Sequence, residues 1–116
     1  MPNFIHKDLA AGRWFGLSIL EQLGNIGSEV SRAAKWQSRN PEIFAGAVDR
    51  SLDLFDLTLA DPRWFQTGRR YEIARAREVF CDAALNQGAE YGSQLKDLQS
   101  YFDQFALAAR NKADLS

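Results

Sequence analysis

The stretch "GNIGSEVSRAAKW", residues 24–36, decides how the chain is read. Ile26, Val30 and Ala33 recur at helical spacing, so the segment predicts an α-helix with one apolar face. Yet it holds Gly24 and Gly27 on successive turns, and each costs a helix roughly 1 kcal/mol against alanine. With Ser31 and Ala34, these glycines fall between the apolar and solvent faces. Small residues there let a second helix backbone approach closely. The polar positions Asn25, Ser28, Glu29 and Arg32 form the alternative reading, a shallow groove for a ligand or a second subunit. Glu21 joins Asn25, Ser28 and Arg32 in a line opposite the apolar face.

Working outward, the punctuation marks further helices. In "SRNPE", residues 38–42, Asn40 is an N-cap and Pro41 sits at the first helical position. "ADPRW", residues 60–64, interrupts the pattern, because the residue before proline disfavours the α region. "NQGAEYGS", residues 86–93, carries two glycines between periodic segments and predicts a loop. Four helices follow, at about 13–38, 42–60, 69–86 and 93–110, with 1–12 and 111–116 expected to fray.

Each predicted helix has an apolar stripe. Ile19, Leu23, Ile26, Val30 and Ala33 form the first. The second is wide: Phe44, Ala47, Val48, Leu52, Leu54, Phe55 and Leu59. Ile73, Ala76, Phe80, Ala83 and Ala84 form the third. Leu95, Leu98, Phe102, Phe105 and Ala109 form the fourth. Amphipathic helices with short connections predict a single all-α domain, an antiparallel four-helix bundle. The wide second stripe implies either a central position or an additional partner.

Composition narrows the function classes. The chain has 116 residues, enough to bury roughly two-thirds of its unfolded surface without staples. With 46% hydrophobic and 25% charged residues and a net charge of −1, it carries no global field towards nucleic acid or anionic membranes. Cys81 is the one cysteine, which excludes an intrachain disulfide and a multi-cysteine zinc site. No signal-peptide shape opens the chain and no run reaches a membrane-spanning length, so a cytoplasmic location is expected.

Catalytic motifs are missing. His6 is the sole histidine, so a Ser–His–Asp or Cys–His arrangement would depend on it alone. No phosphate-cradling glycine motif is present. Asp49, Asp53 and Asp56 share a helix face, but one opposite the apolar stripe, which reads as a solvated acidic surface rather than a metal site. No catalytic, cofactor or metal residue is assigned. An enzymatic groove, the third reading, would use Glu21, Asn25, Glu29 and Arg32.

The segment "PRWFQTGRRYEIARAR", residues 62–77, is the most basic. Arg63, Trp64, Arg69, Arg70 and Tyr71 combine guanidinium groups with aromatic rings, the pairing that phosphate contact and base stacking require. Against this stands an acidic preceding helix, with Glu42, Asp49, Asp53, Asp56 and Asp61 against Arg50. An acidic helix followed by a basic one attracts its neighbour without any ligand.

Three stretches, "LGNIGSEVSRAAKW", "LDLFDLTLADPRW" and "RAREVFCDAAL", together resemble a family of small uncharacterised prokaryotic proteins read as helical bundles. The resemblance implies the fold and carries no activity or site residue. "NIGSEV" is also similar at its start to the N-I-A-E-G pattern of four-helix-bundle proteins encoded in ribosomal RNA insertions, some of whose relatives bind nucleic acid. Together these observations favour a non-enzymatic interaction module that pairs with itself or another protein. An accessory nucleic-acid-binding role is the alternative.

Overall fold

The computed structural model describes residues 12–114. Within them the chain is all-helical. Four long helices, α1 (Ile19–Trp36), α2 (Pro41–Leu59), α3 (Gly68–Leu85) and α4 (Leu95–Asp114), are joined by a short 3-10 turn at Pro62–Trp64 and a loop before α4. The termini 1–11 and 115–116, including His6 and most of the expected frayed ends, lie outside the described residues.

The first helix begins later than its periodicity predicts. Residues 12–14 are helical, but Gly16 and Leu17 donate to the carbonyls of Arg13 and Trp14 and the chain turns. The cause is a capping box. Ser18 Oγ accepts from Glu21 N at 3.1 Å, and Glu21 Oε1 accepts from Ser18 N at 3.0 Å. Two backbone donors that the helix cannot use are thereby satisfied. Asn40 caps α2 as expected, accepting from Glu42 N and Ile43 N ahead of Pro41. At the far end α4 continues past 110 to Asp114.

Helix α1 lies between α2 and α4. Glu29 faces Arg50 and Gln22 faces Asp61, so α1 and α2 run in opposite directions. Gly24 meets Ala106 and Gly27 meets Phe102, so α4 also runs opposite to α1. The central helix is α1 rather than α2, and of the wide α2 stripe Ala47, Val48 and Phe55 are buried while Phe44, Leu52, Leu54 and Leu59 are only partly covered. Phe55 is fully buried and its ring lies 5.6 Å from Phe80 of α3 and 5.9 Å from Phe102 of α4. Contacts of α3 with α2 and α4 are sparser than those α1 makes.

The glycines of the opening stretch serve the α1–α4 contact. A Cβ on Gly27 would stand 2.6 Å from Phe102 Cβ, closer than carbon atoms pack. One on Gly24 would stand 3.3 Å from Ala106 Cα. The helices therefore touch backbone to side-chain root, and helix propensity is exchanged for close packing around Phe102.

Candidate functional site

The break between α2 and α3 holds a buried polar network. Asp61 precedes Pro62, adopts an extended backbone and has no exposed surface. Its carboxylate accepts from Gln22 Nε2 at 2.9 Å and from Arg63 through Nη2 at 2.7 Å and Nε at 3.1 Å. Arg63 Nη2 also reaches the Leu17 carbonyl. Gln22, itself fully buried, donates to the Trp14 carbonyl and accepts from the Trp64 indole at 2.9 Å. The Trp14 indole donates to Thr58 Oγ1, which donates on to the Leu54 carbonyl. Burial pushes the Asp61 carboxyl up, but the hydrogen bonds from Arg63 and Gln22 outweigh it and hold it below the usual aspartate range. This clasp ties the chain before α1 to α1, the end of α2 and the 62–64 turn.

That geometry commits much of the arginine-aromatic segment. Arg63 is held by Asp61, and its guanidinium lies 4.6 Å from the Trp64 ring. Trp64 is bonded to Gln22. Arg70 donates to the Leu59 carbonyl at the end of α2 and stacks on Phe65. Beyond the proposed set, Arg77 pairs with Asp56 at 2.8 Å, an attraction between the acidic and basic helices. Arg75 lies over the Tyr91 ring. Arg69 and Tyr71 face solvent, Tyr71 at 77% exposure. Of the five residues, the fold therefore brings Arg63 and Trp64 into one internal network and leaves Arg69 and Tyr71 outside it.

The second candidate set divides. Asn25 donates to the Glu21 carbonyl and is exposed, while Glu29 bridges Arg50 at 3.2 Å and Arg32 at 3.5 Å. Ser28 and Arg32 instead line an open groove of about 600 Å³ between α1 and the first turns of α4. Ser31, Lys35 and Trp36 extend its α1 wall, and Lys96 and Gln99 form the other. Periodicity marked Ser28 and Arg32 but could not join them to residues more than sixty positions away.

A different groove opens between α3 and α4. It encloses about 500 Å³, with Ala76, Val79, Leu98 and Tyr101 along its apolar walls and Tyr71, Glu72 and Arg75 on its α3 side. Burial pushes the Tyr101 hydroxyl up, with Glu72 adding to the shift and Arg69 opposing it. Ala76 and Leu98 belong to the expected apolar stripes. Leu98 is buried, whereas Ala76 is only partly covered, and that depends on helix placement, which periodicity does not report.

A second buried carboxylate, Asp82 in the last turn of α3, holds the α3–α4 loop. Asp82 accepts from Tyr91 N at 2.9 Å, from Glu90 N and from Asn86 Nδ2. The Tyr91 amide is the main cause of its lowered pKa, working against burial, and the Glu90 amide and Asn86 reinforce it. Gly88 has φ +75°, and a Cβ there would stand 2.6 Å from the Ser93 carbonyl oxygen. Cys81, partly buried on α3, has Arg77 Nη1 at 3.9 Å from its sulfur. Among the described residues no three metal-ligating side chains gather, and no helix is long and apolar enough to cross a membrane. Comparison with family models, curated proteins and solved structures finds no match for the chain.

Proposed function

We propose that the chain is an antiparallel four-helix bundle acting as a cytoplasmic, non-enzymatic interaction module whose partner is a second copy of itself. Membership of the small prokaryotic helical-bundle family that residues 23–36, 52–64 and 75–85 resemble is part of the same proposal. The observation that carries the reading is the apolar groove between α3 and α4, with Val79, Leu98 and Tyr101 in its walls and Tyr71 projecting beside it. Val79 and Tyr101 are only partly covered there and Tyr71 stands exposed beside them, so a second copy would have apolar side chains to cover.

Charge favours self-pairing. Glu72 and Arg75 stand one turn apart on α3 beside the groove. A two-fold axis across α3 places Glu72 of each copy opposite Arg75 of the other, the self-complementarity that an isologous interface requires. The nucleic-acid reading has less support, since Arg63, Trp64 and Arg70 are engaged within the fold.

Sedimentation velocity at micromolar concentration tests the proposal. The expected mass is twice 13.1 kDa, and Val79→Glu is expected to return the single-chain value with an unchanged circular dichroism spectrum. A single-chain mass for the parent protein across the concentration range contradicts it.

A further inference from the structure

We propose that the groove between the second half of α1 and the first turns of α4 binds a phosphate-bearing small molecule. This site is separate from the apolar α3–α4 groove and does not depend on self-association.

The first support is charge. Arg32, Lys35 and Lys96 converge on the groove, and no carboxylate is among the side chains that line it. Arg32 Nε lies 3.5 Å from Glu29 Oε1, and Glu29 is shared with Arg50 at 3.2 Å. Among the described residues no carboxylate lies within the 4.0 Å ion-pair distance of Lys35 or Lys96. In a chain of net charge −1, a concave surface whose charged lining residues are all cationic is local placement, not composition. Such a cleft focuses its field and raises the local concentration of anions.

The second support is the donor set. Helical spacing puts Ser28, Ser31, Arg32 and Lys35 along one stripe of α1, and Lys96 and Gln99 face them from α4. The Ser31 hydroxyl, the Gln99 amide and the Arg32 guanidinium beside two ammonium groups match the several acceptor oxygens of a phosphate ester or pyrophosphate, while the Ser28 hydroxyl donates to the Gly24 carbonyl. A volume of about 600 Å³ accommodates a small molecule.

Trp36 adds a recognition surface. Its indole is half-buried in the groove wall, with Lys35 Nζ 5.3 Å from the ring centre. An anion drawing Lys35 away from the ring frees that face for a flat group attached to the phosphate. Free pyrophosphate and a nucleoside diphosphate share the recognised chemistry and differ in whether they use Trp36.

Isothermal titration calorimetry at low salt, with pyrophosphate, ADP and adenosine as probes, tests the assignment. Pyrophosphate and ADP are expected to bind and adenosine is not. Tighter binding of ADP identifies a nucleotide site using Trp36, and equal affinities identify a site for the phosphate groups alone. Lys35→Glu with Lys96→Glu is expected to weaken binding at least about tenfold, which corresponds to roughly 1.4 kcal/mol, without changing the melting temperature. Val79→Glu is expected to leave binding intact, which separates this site from the self-association surface. Absence of binding by either phosphate compound at millimolar concentration overturns the proposal. So does an equal loss in Arg69→Glu with Arg70→Glu, which would make the effect one of general charge.

Discussion

Helix α4 meets two neighbours in opposite ways. Against α1 it packs on two glycines, with Phe102 filling the space where Gly27 has no side chain. Against α3 it leaves an apolar groove of about 500 Å³ that begins beside Tyr71 and runs past Val79 and Tyr101. Both faces contain aromatic and aliphatic residues, so hydrophobicity does not separate them. Residue size does. Where the facing residue is glycine, the backbones close and the surface is consumed by folding. Where the facing residues are Val79, Ala76 and Arg75, the helices stand apart and apolar surface remains. The first arrangement specifies the fold; the second leaves a face on which another molecule can act.

The strongest way to break this contrast is to fill the close contact. Gly27→Leu is expected to cost about 3 kcal/mol, the upper end for overpacking, because even a Cβ meets Phe102 at 2.6 Å. The melting temperature should fall by roughly 10 °C. Val79→Leu, on the open face, should shift it little. A Gly27→Leu variant melting at the parent temperature would show that α1 and α4 do not depend on the glycine contact.

Next in size is the clasp beyond α2. Asp61→Ala leaves Gln22 and Arg63 without their shared acceptor, at a cost of about 1–3 kcal/mol in chemical denaturation. The same group gives a pH dependence. The folded Asp61 and Asp82 carboxyls both lie below the ordinary aspartate value of 3.8. Their stabilisation is therefore fully present above that value and lost as pH falls below it towards the folded values. Melting temperature should be flat from neutral to mildly acidic pH and fall below about pH 4, with Asp61→Ala reducing the acid-dependent loss. A pH response of unchanged size in that variant counts against the assignment.

The smallest expected effect lies on the acidic face of α2. Burial raises the Asp53 carboxyl, and the neighbouring Asp56 and Asp49 add to it. A raised folded value means that ionised Asp53 opposes folding at neutral pH, and that the opposition fades as acid protonates it. Asp53→Asn should raise the neutral-pH melting temperature by a degree or two, on the order of the few tenths of a kcal/mol usual for surface changes. The gain should vanish in acid, and a loss at neutral pH would reverse the sign argued here.

Much of this architecture is legible from residue spacing. The apolar stripes contain most of the buried core, and Asn40–Pro41 and the "ADP" break mark real element ends. The late start of α1 was also encoded, because Ser18 and Glu21 have capping-box spacing, but the periodicity around Trp14 masks it. The buried polar residues were not legible. Asp61 reads as one more acid on an acidic helix until the fold brings Gln22 and Arg63 to it. The grooves were only half legible for the same reason. Ser28 and Arg32 stand out locally, whereas Lys96 and Gln99 acquire meaning only when α4 lies beside α1.

The central claim is that α4 is closed against α1 at the Gly24 and Gly27 contacts and leaves apolar surface available on its α3 side. A dilution series followed by amide and methyl NMR tests it most directly. The account predicts concentration-dependent shifts at Ala76, Val79, Leu98 and Tyr101, with Gly24, Gly27 and Ala106 unmoved. Shifts centred on the glycine contact, or none anywhere across the series, would contradict it.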